Sequence, residues 1–414
     1  MKKVLVIAYG YPPIGGVGVI RTLKFTKFLQ EYGWEPYVLT VKNRDWFYTK
    51  TGNDTIPEDV NVYRSWNILN NLSIVEGGLR KLGISSKVLI PDVYCGWIPL
   101  AIETGKNIID EGIDLIYVSC PPYSSAIIAA RLKEITNVPF VIDLRDAWTL
   151  NPYNPEYVCD LAEKFDEQLE NSIFKSADFI IASTDGIKDN YISKYPEVVS
   201  KITTITNGFD MDDIPTSVDE FKKFTITYTG FFYGSRSPDL FFKALSEIVT
   251  EKLIPEDDIQ FIWAGREAPF VHKLIKKYGI QNIVDYRGLI AKNEADALLY
   301  QSHLLLFVIG SVENGVENNT LSGKIYPYIA SNKPILAMIP DGAAKRMLEQ
   351  YSNRTCIVNG VDEIKLAILL EYNEWKSGIK IGNNIDKSKK FKKQYNYKSL
   401  TGELVNVFEK VIKN

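Results

Sequence analysis

Short apolar runs separated by amphipathic stretches recur along the whole 414-residue chain. Runs of strand length fall at 4–8, 37–41, 115–118, 140–142, 179–182 and 202–205, and a second series at 225–228, 261–264, 304–309, 335–339 and 356–358. Helix-length patterns lie between several of them. Phe25, Phe28, Leu29 and Tyr32 follow the i, i+3, i+4, i+7 spacing of one helix face, and Gly33 is placed to close that helix. Strands that are apolar throughout and alternate with helices predict parallel sheets covered on both faces. The polar stretch 207–224, with Gly208, Pro215 and several acids, reads as a linker between two α/β halves. Each half is predicted to be a doubly wound, Rossmann-like domain, the first over 1–207 and the second over 208–395. Ligands of such sheets bind outside the carboxyl ends of the strands, so the two halves are expected to share a cleft.

One segment breaks the alternation. Residues 64–91 carry Trp66, Leu69, Leu72, Ile74, Val75, Leu79 and Leu82 beside Arg80, Lys81 and Lys87. It reads either as a helix packed on its own domain or as a basic, apolar-faced insertion touching a membrane or a lipid-linked acceptor. The tail offers the same choice. Lys387, Lys389, Lys390, Lys392, Lys393 and Lys398 surround Phe391, Tyr395 and Tyr397, as a solvated helix face or as a patch for the inner face of a membrane.

Composition narrows the function classes. Hydrophobic residues make up 45% and charged ones 24%, ordinary for a globular protein, and a net charge of −3 argues against nucleic acid as a partner. Cys95, Cys120, Cys159 and Cys356 are scattered, without a CxxC pair or companion histidines. That pattern fits reduced thiols in the cytoplasm, with neither a disulfide framework nor a zinc site. The apolar run after Met1-Lys2-Lys3 is about five residues, short of a signal peptide, and no run of about 18 apolar residues exists to span a membrane.

Five segments could carry chemistry. The turn Tyr11-Pro12-Pro13-Ile14-Gly15-Gly16-Val17-Gly18 lies between a strand and a helix, and its glycines let a ligand approach the backbone. It lacks the spacing of a dinucleotide fingerprint. Asp143-Leu144-Arg145-Asp146 ends a strand, where two carboxylates could orient an acceptor hydroxyl or simply pair with arginine. Gly230 and Arg236 follow the first strand of the second half, and Gly265-Arg266 ends the next. Ser322-Gly323-Lys324 precedes a short amphipathic helix; a helix starting there would offer free N–H groups and a cation to a phosphate. It is not a Walker A motif, because Ile325 stands where Ser or Thr is required. Asp210-Met211-Asp212 has the Asp-x-Asp form of some metal sites, but its place in a linker argues against a metal.

These segments together resemble glycosyltransferase family 4, also called group 1. Residues 11–21 resemble its "Y-P-P-x-G-G-x-G-x-x-R" loop, completed by Arg21; 143–149 resemble "D-F-R-D-P-W-T"; 207–210 resemble "N-G-V-D"; 324–335 resemble "K-I-Y-E-Y-L-A-A-G-K-P-I". The branch resembled is associated with exopolysaccharide and capsule assembly. The resemblance implies the GT-B arrangement, with a final helix (396–414) crossing back to the first domain. It further implies transfer of a sugar from a nucleotide-sugar to a saccharide or lipid-linked saccharide, with retention and without metal or cofactor. Carried over residue by residue, Gly15, Gly16, Gly230, Gly265, Arg266, Asn319, Ser322 and Gly323 would line the donor, Arg236 and Lys324 would hold its diphosphate, and Asp143 and Asp146 would orient the acceptor.

Three departures stand out. Asn319 and Pro327 occupy the positions of the family's two glutamates, and Phe231 that of its first basic residue. Glu294, Glu313 and Glu317 are the candidates to replace the ribose-binding carboxylate. Ala126 stands where that branch often has a histidine, and the chain's two histidines, His272 and His303, lie in the second half. An alternative is therefore a GT-B protein that has lost catalysis and serves as a scaffold or partner of another transferase.

Overall fold

The structure, a computed structural model, describes residues 1–42, 55–69, 87, 89–151, 154, 156–310, 321–378 and 385–413. It divides into two compact units. The first comprises Met1–Asn207 together with Tyr397–Asn414, and the second Gly208–Asn396.

In the first unit, strands β1 (Lys2–Ile7), β2 (Trp34–Val41), β3 (Asn61–Ser65), β4 (Leu115–Cys120), β5 (Phe140–Leu144), β6 (Phe179–Ala182) and β7 (Ile202–Thr204) form a parallel sheet in the order β3-β2-β1-β4-β5-β6-β7. The order reverses at β1, where Val4 lies opposite both Pro36 of β2 and Leu115 of β4. Alternate side chains of β1 enter opposite layers. Leu5 and Ile7 pack with the helices Ile98–Ile109 and Ser124–Thr136. Val4 and Val6 pack with α1 (Val17–Leu29) and the helix Tyr397–Lys413. This two-sided burial is why both strands read as continuous apolar runs. After α1 a short 3-10 turn over Gln30–Tyr32 ends at Gly33, whose φ of 81° is left-handed.

The helix Tyr397–Lys413 completes this unit. Tyr397, Leu400, Leu404, Phe408 and Val411 recur at helical spacing and are buried. The Tyr397 ring lies 5.7 Å from Phe25 and that of Phe408 5.1 Å from Trp34, while Lys2 pairs with Glu409 at 2.5 Å.

In the second unit, β8 (Phe224–Thr229), β9 (Ile259–Ala264), β10 (Val284–Gly288), β11 (Leu304–Val308), β12 (Ile335–Met338) and β13 (Thr355–Ile357) form a parallel sheet in the order β10-β9-β8-β11-β12-β13. Its reversal falls between β8 and β11. Leu304, Leu306 and Val308 face one apolar layer; Leu305 and Phe307 face the other.

Two strands escape the hydrophobic pattern, and both are sheet edges. β3 and β10 are mostly half-exposed and mix apolar with polar residues, so neither shows a continuous apolar run. The stretch expected to be a linker is folded into the second unit from Gly208 onward. Phe209 donates its N–H to the Tyr395 carbonyl and stacks on Phe391, which is fully buried. Asp210 is buried and accepts the N–H of Asp212, and Asp213 pairs with Lys292 at 2.5 Å. Of the segment 64–91, Trp66 and Leu69 are exposed; Leu72, Ile74, Val75, Leu79, Arg80, Lys81 and Leu82 lie outside the described residues. Lys389, Lys390 and Lys393 are exposed on the helix Ile385–Tyr395. Among the described residues no helix is long and apolar enough to cross a membrane.

Candidate functional site

Each unit places its candidate residues at the reversal point of its own sheet, at the carboxyl ends of the strands, where doubly wound sheets open a crevice. In the first unit a cavity of about 540 Å³ opens there, walled by Tyr9, Gly15 and Gly16 after β1, Ser119 and Pro121 around the end of β4, and Arg145 after β5. Gly16 caps α1 with φ 120°, a conformation open to glycine. Tyr9 and Tyr94 form an aromatic wall, ring centroids 4.3 Å apart. Asp92 adds a carboxyl whose pKa burial pushes up, although Ser124 N–H (2.9 Å), Ser124 Oγ (2.6 Å) and Tyr94 N–H (2.9 Å) all donate to it. Sequence reasoning missed Asp92; nothing in its local pattern marks a cap for a helix 32 residues on.

The two aspartates expected at the acceptor part company. Asp143 is fully buried, its Oδ2 accepting Arg21 Nε at 2.7 Å and its Oδ1 accepting Arg21 Nη2 at 2.9 Å. The Tyr117 hydroxyl donates to it as well. No acceptor can reach a carboxylate so enclosed, which corrects the role expected for Asp143. Arg21 also donates to the carbonyls of Ile205 (2.8 Å) and Thr206 (2.6 Å), tying α1 to the end of the unit. Arg145, between the aspartates, donates to the carbonyls of Gly18 and Pro121 and forms no ion pair with a described carboxylate. Asp146 is half-buried, and desolvation raises its pKa against the pull of Arg145. Of the two aspartates it is the one that solvent still reaches.

In the second unit Gly230, Arg236, Gly265 and Lys324 come together. Lys324 arrives from the loop after β11, and its Nζ donates to the Tyr228 hydroxyl at 3.2 Å and lies 4.5 Å from the centroid of that ring. A Cβ on Gly230, whose φ is 146°, would stand 2.1 Å from the Lys324 Nζ. A Cβ on Gly265 would stand 1.9 Å from the Gly230 carbonyl oxygen. Glycine at both positions is thus what brings the ammonium against the backbone. Burial, and then Arg236, push the Lys324 pKa down to about 7. The Arg236 guanidinium lies over the Tyr233 ring, 4.9 Å from its centroid, and its Nε is buried without a partner. Neither cation pairs with a described carboxylate.

Other expectations fare differently. The helix after Ser322-Gly323-Lys324 begins at Ile325, runs six residues to Ala330, and is buried on nearly every side. It is a core plug, not an amphipathic helix. The Ile325 N–H already bonds the Ser322 carbonyl at 3.0 Å, so the cation of Lys324, more than a row of free N–H groups, defines the site. Pro327, third in that helix, falls where no intrahelical N–H is needed. Arg266 is exposed at the end of β9. Asn319, Glu313 and Glu317 lie outside the described residues, and Glu294 accepts the Ala291 N–H at 3.4 Å as a helix cap. His303 is structural. Its Nδ1 accepts the Thr225 N–H at 3.0 Å, and burial lowers its pKa to about 4. Among the described residues no group of His, Cys, Asp and Glu could hold a metal ion.

The family model described as Glycosyltransferase Family 4 matches residues 14–213. An uncharacterized glycosyltransferase of Methanocaldococcus jannaschii is 23% identical over 270 residues, which span 62% of this chain and 64% of that relative's length. Among solved structures, sucrose-phosphate synthase from Thermosynechococcus elongatus superposes with a TM-score of 0.68 at 13% identity, covering 100% of both chains. HepE of Anabaena in complex with UDP and glucose superposes with a TM-score of 0.67 at 15% identity, covering 99% of this chain and 100% of its own. A protein described as a putative UDP-N-acetylglucosamine 2-epimerase from Listeria monocytogenes reaches 0.59 at 14% identity. At these identities the structural likeness establishes the fold, two Rossmann-like units of the GT-B class, and leaves the reaction to be argued from the site.

Proposed function

We propose that this chain, whose residues 14–213 belong to glycosyltransferase family 4, transfers a sugar from a nucleotide-sugar to a hydroxyl of a saccharide acceptor, with retention of configuration. The observation that carries the donor half is the pairing of Lys324 with Arg236 beside Gly230, two cations without a described carboxylate between them. Two cations that no described carboxylate compensates, held in a desolvated recess, suit an anion, and a diphosphate supplies one.

The chemistry follows from where charge develops. As the bond from the sugar's anomeric carbon to the phosphate oxygen breaks, negative charge grows on the leaving diphosphate, and Lys324 and Arg236 stabilise it. The acceptor oxygen forms the new bond on the same face and gives its proton to the departing phosphate oxygen. That route needs no histidine, and the first unit has none. The cavity of the first unit, with its Tyr9–Tyr94 wall and the carboxyl of Asp92, is assigned to the acceptor, a lipid-linked saccharide of surface-polysaccharide assembly. Placement on the cytoplasmic side, with the exposed lysines of 389–393 against the membrane, is part of the same reading.

Thermal shift against a panel of nucleotide-sugars tests it. Cognate donor at 100 times its dissociation constant stabilises by about 2.7 kcal/mol. Release of nucleoside diphosphate only when acceptor is added identifies a transferase. Turnover of the donor to an epimer without acceptor would replace the reading, and donor binding without any turnover would make the chain a scaffold.

A further inference from the structure

Tyr228, two residues ahead of the loop glycine, is absent from every motif discussed so far. It is fully buried on β8, and its ring stacks on Phe232, centroids 4.2 Å apart and planes 18° apart. Its hydroxyl donates to the Phe231 carbonyl at 3.1 Å, and the same oxygen accepts Lys324 Nζ at 3.2 Å. The polarity of the hydroxyl is therefore fixed. With its proton committed to Phe231, its lone pair faces the ammonium. The ring supplies a second attraction, since a cation 4.5 Å from a tyrosine centroid is drawn to the π face.

We propose that Tyr228 is the positioning residue of the donor site, holding the Lys324 ammonium at Gly230 so that it meets a diphosphate already aligned and charged. This inference rests on the reading of Lys324 and Arg236 as the diphosphate site. The surroundings explain the need for it. Facing Lys324 are Tyr228 from β8, Gly230 after it and Arg236 from the following loop. No described carboxylate is among them. Burial and Arg236 both work against the charge of Lys324, while the Tyr228 ring and its oxygen, which Arg236 also approaches as a hydrogen-bond donor, work for it. The backbone at Phe231, where the family has its first basic side chain, contributes through its carbonyl by orienting that hydroxyl.

The test uses the full chain and three proteins: wild type, Tyr228→Phe and Lys324→Met. Tyr228→Phe keeps the stacked ring and removes only the oxygen, so its thermal midpoint should stay near wild type. NMR titration of the lysine side chains reads Lys324 directly, its resonance identified by its loss in Lys324→Met. Calorimetry with inorganic pyrophosphate, which carries the charge without base or sugar, reads binding. Tyr228→Phe is expected to lower the Lys324 titration midpoint by about one pH unit and weaken pyrophosphate about tenfold at pH 7.5, with the deficit narrowing to about twofold at pH 6, where wild type is mostly charged and the variant about half. An unchanged midpoint with unchanged binding overturns the positioning role while leaving the diphosphate site standing. Pyrophosphate binding of wild-type strength in Lys324→Met removes the diphosphate site itself, and the positioning role with it.

Discussion

Arg21 and Asp143, 122 residues apart, form a two-pronged ion pair from which solvent is excluded, with Nε–Oδ2 at 2.7 Å and Nη2–Oδ1 at 2.9 Å. It joins the last residue of the glycine-rich turn motif to the first residue of the Asp-Leu-Arg-Asp motif. The two stretches that resemble family signatures are thus one structural clamp, and the pocket glycines hang from one side of it while Arg145 and Asp146 hang from the other.

Breaking that clamp should cost stability first. A buried charge that loses its partner typically costs about 3–5 kcal/mol. Arg21→Ala and Asp143→Asn are each expected to lower the unfolding free energy by an amount of that order, whereas Arg21→Met with Asp143→Leu should recover part of it. Denaturant titration checks this. Asp143→Asn with a native midpoint but no turnover would return Asp143 to a chemical role.

Loss of either cation should strike turnover. Lys324→Ala and Arg236→Ala are each expected to reduce kcat by about two to three orders of magnitude, the usual cost of removing a donor aimed at developing charge. Steady-state kinetics with the cognate donor decides, and near-native rates in both would dissolve the site.

Lys324 also makes stability depend on pH. Its folded pKa, about 7 through burial and then Arg236, lies below the ordinary 10.5. Between those values the unfolded chain binds more protons, so stability rises with pH across the window; below about 7 the penalty of burying the charge is felt in full. Lys324→Met should therefore melt higher than wild type at pH 6–7, with the gain fading toward pH 10.5. Calorimetric scans of both proteins without ligand test the sign, and a midpoint lowered at pH 6 would contradict it.

The glycines are expected to fail differently. Gly265→Ala would put a carbon 1.9 Å from the Gly230 carbonyl oxygen, so the backbone itself must move. Gly230→Ala meets only the tip of Lys324, but at a φ of 146°. Gly265→Ala should lower the thermal midpoint and abolish donor binding. Gly230→Ala should mainly weaken donor binding by pushing the ammonium off Tyr228. Equal effects on both readouts in the two variants would refute the distinction.

Much of this fold is legible in the chain because strands buried on both faces leave continuous apolar runs, as at 304–308. β3 and β10 are not, since an edge strand exposes one side. The glycines and cations of the second unit are visible as motif residues, but their convergence depends on the crossover that puts β11 beside β8. Asp143 was misread because local spacing shows Arg145 two residues away, while its actual partner lies far up the chain. Tyr228 gives no signal at all: a tyrosine in an apolar strand looks like core until the loop after β11 sets a lysine against it. The polar run at Ser322 suggests a helix start there, whereas the helix begins at Ile325 and is held by burial on nearly every side.

The helix Tyr397–Lys413 belongs to the unit that the chain begins, so the second unit is threaded through the first as an insertion. During synthesis the apolar flank of α1, with Phe25 and Trp34 awaiting Tyr397 and Phe408, stays uncovered until residues 397–413 have emerged. The second unit has its whole sequence available earlier and can close its core first. The order of maturation is therefore expected to run against the order of translation, and nascent chains halted before residue 397 should be protease-sensitive in the first unit while the second resists.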